Sequence, residues 1–197
     1  MTTNLRIPLL IATGCLSAAA STIQVQTPGT VPVNSTFSNV NIIVTPAAGE
    51  SLTGFQFDLI FPSFLQANFV SEQGYFLANG VFFSAGTIDN TALNITGISD
   101  ALTGGDLLPT TSDILVSINF TALHVGTGFI SIDSSTVQLL GPLDPVTFLP
   151  TLLPVTTVDG AISAVQATPE PATLLMSLGG LAVILAFQRR GNVRSSC

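Results

Sequence analysis

Phe55, Phe57, Leu59 and Phe61 occupy every second position of one stretch, with Gly54, Gln56, Asp58 and Ile60 between them. Ile114, Val116, Ile118, Phe120 and Ala122 do the same in another, interleaved mostly with polar residues such as Ser117, Asn119 and Thr121. Successive side chains of a strand point to opposite faces, so a period of two gives one apolar face and one for solvent. Between 21 and 168 no stretch repeats at the helical period. β-branched runs at 37–45, 93–99, 128–132, 136–140 and 155–164 predict further strands. Turn residues separate them: Pro46-Ala47-Ala48-Gly49, Gly104-Gly105-Asp106 and Gly141-Pro142. Pro62 marks a strand end after Phe61, and the four prolines of 139–154 predict an edge loop. Many short strands and no helix predict an all-β sandwich or barrel.

Charge narrows the function. Only 8% of the residues are charged, against about a quarter in an ordinary soluble chain. The basic residues are Arg6, Arg189, Arg190 and Arg194, so eleven acids lie between residues 7 and 188 without one Lys or Arg. Nothing there can displace counterions from phosphates, which excludes nucleic-acid binding by that route. The same deficit argues against binding polyanions or anionic lipid through this region.

The two ends read as addresses. Residues 1–20 have a positive start at Arg6, a short apolar run and a small-residue Ala18-Ala19-Ala20 site, which predicts a secretory signal peptide. An alternative takes Thr13-Gly14-Cys15 as a lipoprotein site acylated at Cys15. Plain cleavage at Ala20 fits better, because Ala12 stands where such signals usually place Leu. At the other end an apolar run, 172–187, precedes Arg189, Arg190 and Arg194. As a helix it reaches about 24 Å, enough to span a bilayer with snorkelling arginines and local thinning. The arginines orient it with the body of the chain outside. Cys15 and Cys197 both lie in these ends, so the body has neither a disulfide nor a thiolate metal site.

Pro169-Glu170-Pro171, the apolar run and the terminal arginines together resemble the PEP-CTERM sorting signal of Gram-negative-type bacteria, over residues 167–197. The resemblance implies recognition by a membrane protease of the exosortase type and association with exopolysaccharide-producing systems. Pro169, Glu170 and Pro171 would then be recognised by another enzyme and cut near that point. The membrane helix would be transient, and the body would pass to the cell surface or the extracellular matrix.

A second resemblance rests on the order of motifs in the body. Gly54-Phe55-Gln56-Phe57-Asp58-Leu59-Ile60-Phe61-Pro62-Ser63-Phe64-Leu65 is followed by Phe69-Val70 and Gly74. Leu115-Val116-Ser117-Ile118-Asn119-Phe120 and Gly126-Thr127-Gly128-Phe129-Ile130-Ser131-Ile132 come later. This looks like the cohesin domain, a jelly-roll β-sandwich of about nine strands related to a group of cellulose-binding modules. In cohesins the first motif runs aromatic-Asp-Pro-Ser, and here the Asp after Phe61 is missing. The resemblance implies the jelly roll over 21–166 and, more weakly, a protein partner, since cohesins bind dockerin modules.

Catalysis finds little support. His124 is the only histidine, without a Cys or second His nearby to build a zinc site, and a structural role is expected for it. No nucleophile elbow, phosphate loop or dinucleotide fingerprint occurs. Glycoside hydrolysis needs two carboxyl groups about 5–10 Å apart, and no acid is flanked by the Trp or Tyr common in sugar clefts. The chain has no Trp, and Tyr75 is its only Tyr. Tyr75-Phe76 and Phe82-Phe83 are adjacent pairs, so one member of each faces outward if the segment is a strand. These four are the candidate ligand-binding patch. Asp100, Asp106 and Asp113 raise the question of calcium, but their spacing departs from an EF-hand and solvated loop acids are the simpler reading. No cofactor is therefore expected. The sequons at Asn34, Asn94 and Asn119 carry no weight beside a bacterial sorting tail.

The sequence thus predicts a non-enzymatic exported protein that binds polysaccharide or a matrix protein. The alternatives are a purely structural matrix protein and, further off, a secreted carbohydrate-active hydrolase.

Overall fold

The computed structural model describes residues 19–102 and 111–167, which form thirteen strands and one short helix. In chain order the first strands are β1 (Ser21–Gln26), β2 (Thr30–Pro32), β3 (Thr36–Thr45), β4 (Gly54–Ile60) and β5 (Leu65–Glu72). Helix α1 (Gly74–Asn79) follows, then β6 (Ser84–Asp89), β7 (Asn94–Ala101), β8 (Asp113–Ala122) and β9 (Gly126–Ile132). The last are β10 (Gln138–Leu143), β11 (Pro150–Leu153), β12 (Val155–Val158) and β13 (Gly160–Val165).

Two sheets pack face to face. One has the order β12-β1-β3-β8-β5, and the other contains the path β11-β10-β4-β9-β13-β2. β7 runs the whole length of β4 on one edge, with β6 beyond it. β10 and β9 share the other edge of β4, at its start and its end respectively. The predicted alternation is what the packing uses. Phe55, Phe57 and Leu59 of β4 are buried while Gln56 and Ile60 are exposed, and Val116, Ile118 and Phe120 of β8 are buried. Rings join the layers: Phe61 meets Phe120 edge-on at 5.4 Å, and Phe120 stacks near Phe37 at 6.1 Å. Such aromatic pairs add to the transfer energy of burying each ring.

Three expectations are corrected. The sandwich has thirteen strands, because short edge segments such as β2 and β12 add to the long central ones. Segment 139–154 is a hairpin at the sheet edge, with β10 and β11 antiparallel and a register shift between Leu140 and Leu143. Pro150 sits on the outermost strand and Pro142 on β10 beyond its pairing with β4, where a missing N–H removes few ladder bonds, while Pro145 and Pro154 lie outside the strands. The body also contains a helix. Six residues are too few to display a 3.6-residue period, so α1 left no trace in the pattern. No helix among the described residues is long and apolar enough to cross a membrane. The run 172–187 lies outside the described residues, as does the signal segment up to residue 18.

The registers also fix which parts lie at opposite ends. Leu140 pairs with Gly54 at the start of β4, and β10 continues past it into the hairpin turn. Ser131 pairs with Ile60 at the other end of β4, and Gly126, farther out along β9, pairs with Ala164. The β10–β11 turn and the end of β13 are therefore separated by roughly 35 Å of sheet.

Phe57 is wholly enclosed by this packing. Phe57→Ala should cost about 3–5 kcal/mol, read as a fall in Tm of roughly 10 °C. A shift below about 2 °C would mean that the ring is not part of a close-packed core.

Candidate interaction surface

The four aromatic residues proposed as one patch are not presented together. Gly74, at φ +61°, leaves the β5 direction in the left-handed region, and a Cβ there would lie 2.5 Å from both carboxylate oxygens of Asp113. The Asp113 carboxylate instead accepts a hydrogen bond from the Tyr75 N–H at 2.6 Å, holding the first turn of α1. On this helix neighbours diverge by about 100°, so the strand argument for Tyr75-Phe76 does not apply. Phe76 is 0% exposed and packs edge-on against Phe55 at 5.0 Å, which removes it from any exposed patch. Tyr75 and Phe83 are half-buried against the core. Phe82 stands 68% exposed, beside exposed Val81 and Leu77. The outward-facing group is thus Leu77, Val81 and Phe82.

The acids considered for calcium are held apart by different tasks. Asp113 serves α1. Asp100 Oδ1 accepts from the N–H of Ala101 at 2.7 Å and of Phe82 at 3.2 Å. Asp106 lies outside the described residues. Among the described residues no group of three or more His, Cys, Asp or Glu is placed to hold a metal ion. His124 is exposed on the β8–β9 turn, with Nδ1 3.2 Å from the Val125 carbonyl and its ring edge-on to Phe64 at 6.4 Å.

Gly80 follows α1 and donates its N–H to the Phe76 carbonyl at 2.5 Å. A Cβ at this position would collide with Asp100 Oδ2 and come within 2.8 Å of Glu72 Oε1. The close seat of α1 therefore requires glycine here.

The strongest exposed apolar cluster is one the sequence reading did not single out. Leu143, Val146, Phe148, Leu149 and Leu152 all project from the β10–β11 hairpin, Val146 at 83% and Phe148 at 75% exposure. The turn is built locally. Asp144 Oδ1 accepts from the N–H groups of Val146 at 2.7 Å and Thr147 at 2.9 Å. Those bonds, Thr147 first, hold its carboxyl below the usual carboxylate range. Phe148 adopts φ +57°, an uncommon conformation for a bulky residue, with its N–H bonded to the Asp144 carbonyl. A contiguous apolar projection of this kind marks an interaction surface more than a core element. The available signal was composition: 139–154 has six Leu, two Val-or-Phe positions and one acid, without the alternation that would bury them.

Beside the hairpin the outer sheet face is polar and nearly uncharged. Gln56, Gln138, Ser99, Thr96 and Thr87 lie on it by register. Its single acid near the middle, Asp58, accepts from the Gly97 N–H at 2.7 Å.

No protein-family model and no curated protein matches the chain. Solved structures do. The seventh ScaB type I cohesin from Pseudobacteroides cellulosolvens superposes with a TM-score of 0.55 at 15% identity, covering 77% of this chain and 96% of that one. A non-cellulosomal cohesin from the hyperthermophilic archaeon Archaeoglobus fulgidus gives 0.55 at 16% identity, covering 79% and 96%. A type I cohesin–dockerin complex from Clostridium thermocellum, Coh-OlpC-Doc435, gives 0.56 at 8% identity, covering 75% and 95%. The described body has a cohesin-like all-β sandwich fold. At these identities the likeness establishes the fold alone.

Gly80→Ala should destabilise the chain by about 1–3 kcal/mol through overpacking against Asp100 and Glu72, measured as a lowered Tm. An unchanged Tm would show that α1 is not seated as described.

Proposed function

We propose that this chain is a non-enzymatic, exported module that binds a partner protein through its cohesin-like sandwich. The observation that carries the reading is the apolar β10–β11 hairpin, set beside an uncharged polar sheet face on a fold shared with cohesins. Several structures of that fold are, by their descriptions, complexes with dockerins, among them Coh-OlpC-Doc435 and the third ScaC cohesin of Acetivibrio cellulolyticus. Leu143, Val146, Phe148, Leu149 and Leu152 supply the desolvatable centre such an interface needs, and the amide and hydroxyl face supplies its rim. A protein partner is favoured over polysaccharide because Phe76 is withdrawn into the core and Tyr75 and Phe83 are half-buried, leaving Phe82 as the single ring of that group in the open. The export reading rests on the two ends of the sequence. Residues 1–20 would direct secretion. Pro169, Glu170 and Pro171, the apolar run 172–187 and Arg189, Arg190 and Arg194 would hand the chain to an exosortase-type protease at the membrane. The body would then reach the cell surface or matrix.

The purified chain should be retained saturably by the protein fraction of the host's own extracellular matrix. The pair Phe148→Ser and Leu149→Ser should weaken that retention at least tenfold, roughly the loss of two exposed anchors, while Tm stays within about 2 °C. Retention on the polysaccharide fraction alone, abolished by Phe82→Ala, would replace the protein partner with a glycan. In the host, Glu170→Gln should leave uncut chain in the membrane fraction by immunoblot; unchanged processing would remove the sorting assignment.

A further inference from the structure

Glu72 Oε1 and Asp100 Oδ2 are the buried side-chain oxygens that have no hydrogen-bond partner among the described residues. They face the same point. Glu72 ends β5, Asp100 lies one residue from the end of β7, and both approach the position where a Gly80 Cβ would stand. Asp100 is only 3% exposed, so water does not serve its Oδ2. Asp100 is buried and Glu72 partly so, and charge on both of these facing oxygens at once is disfavoured.

Among the described residues no Lys or Arg is present to neutralise them. The chain has no Lys or Arg between residues 7 and 188. His124 follows the far end of β8, next to Ala122, which pairs with Leu65 at the opposite end of β5 from Glu72. The ionisable groups on the elements packed around the pair are acids or a phenol. Asp113 of β8 is committed to the N–H groups of Tyr75 and Ile114, and Tyr75 itself is on α1. Asp89 lies at the distant end of β6, and Asp58 of β4 is bonded to Gly97. Among the described residues nothing supplies a neutralising cation, and a proton from solvent can. Among the described residues no group of three or more His, Cys, Asp or Glu is placed to hold a metal ion, and the Phe76 carbonyl that approaches this point is bonded to the Gly80 N–H.

We propose that Glu72 and Asp100 share one proton, and that this shared proton fastens α1 and residues 81–83 to the sandwich as a pH-sensitive pin. A proton between the two oxygens turns two orphaned acceptors into a donor and an acceptor. It also keeps Asp100 Oδ1 in place to receive the Phe82 N–H, next to the bond from the Val81 N–H to the Ala101 carbonyl. Loss of the proton sets a second negative charge against the buried Asp100 beneath Gly80, and the segment bearing Leu77, Val81 and Phe82 loosens. The acidity of Glu72 fits this geometry. Burial first, then hydrogen bonding and charge from Asp100, push its pKa from 4.5 up to about 7.

The direction of the effect follows from linkage. A group whose pKa is raised on folding contributes stability that is complete below its unfolded pKa and is lost as pH rises through the folded one. The loss therefore falls between about pH 4.5 and 7. Asp89, Asp133 and Asp144 have lowered values, held by N–H or hydroxyl donors, so their stabilisation is lost only as pH falls below the ordinary carboxylate range. The two windows do not overlap.

The test is thermal unfolding of the full chain from pH 5 to pH 8, for wild type and for Glu72→Gln, whose amide can donate to Asp100 Oδ2 at any pH. Wild-type Tm should fall by about 5 °C across this range, while Glu72→Gln should stay level within about 1 °C. Infrared difference spectra of the wild type should show a protonated carboxyl band that titrates away near neutral pH, which decides the matter even if the variant folds poorly. A level wild-type curve, an equal fall in Glu72→Gln or the absence of that band would overturn the proposal. So would a rise in wild-type Tm at pH 8 on adding calcium that Glu72→Gln does not show, which would make the pair a cation site.

Discussion

Between residues 7 and 188 the chain has no Lys or Arg, so no acid of the described sandwich is balanced by one. Backbone N–H groups take over much of that work. Asp89, Asp133 and Asp144 close turns by accepting from residues two or three positions ahead, Asp58 pins the positive-φ Gly97, and Asp113 begins α1. Each of these acids thereby becomes a piece of local architecture. Cohesion is left to apolar burial and strand ladders, with Phe55, Phe57, Phe61, Phe76 and Phe120 as the largest enclosed rings.

The same constraint shapes the surface. On the outer face of β1, β3, β8 and β5, neighbouring strands are joined by uncharged side chains: Asn41 to Gln26, Thr36 to Thr121, and Asn68 to Asn119. Such amide and hydroxyl ladders keep a sheet face wetted without long-range attraction for polyanions. A partner approaching this protein is not steered by positive charge. The described surface offers apolar contacts instead, at the β10–β11 hairpin, around Phe82, and at side chains such as Phe69, Val125 and Phe129.

Much of the fold was legible in the sequence because strands buried on one face write their role in alternate residues. The β4 and β8 patterns placed both sheets, and the motif order led to the cohesin-like sandwich. What stayed hidden has physical causes. Helix α1 is shorter than two turns, and its seat depends on Asp100 and Asp113 converging from two other parts of the chain on the glycines at its ends, Gly74 and Gly80. Phe76 lay in a candidate patch because adjacency in a strand and adjacency in a helix have opposite consequences for exposure. The Glu72–Asp100 pair joins residues far apart in sequence, and neither residue type nor spacing announces that one oxygen of each is buried against the other. The hairpin was overlooked because prolines suggested a loop, whereas its leucines and Phe148 matter only once the turn lifts them off the sheet.

The opposed positions of the β10–β11 turn and the end of β13 have a mechanical implication. Any tether acting through the residues after Val165 pulls on β13, which is zipped to β9 on one side and to β2 on the other. Load would enter along these strands, in shear across several ladder bonds at once. The hairpin, borne by β10 on β4, is outside that load path. The hairpin and the β13 end can therefore be stressed independently, and on the proposed reading a pull on the tail need not distort the contact surface.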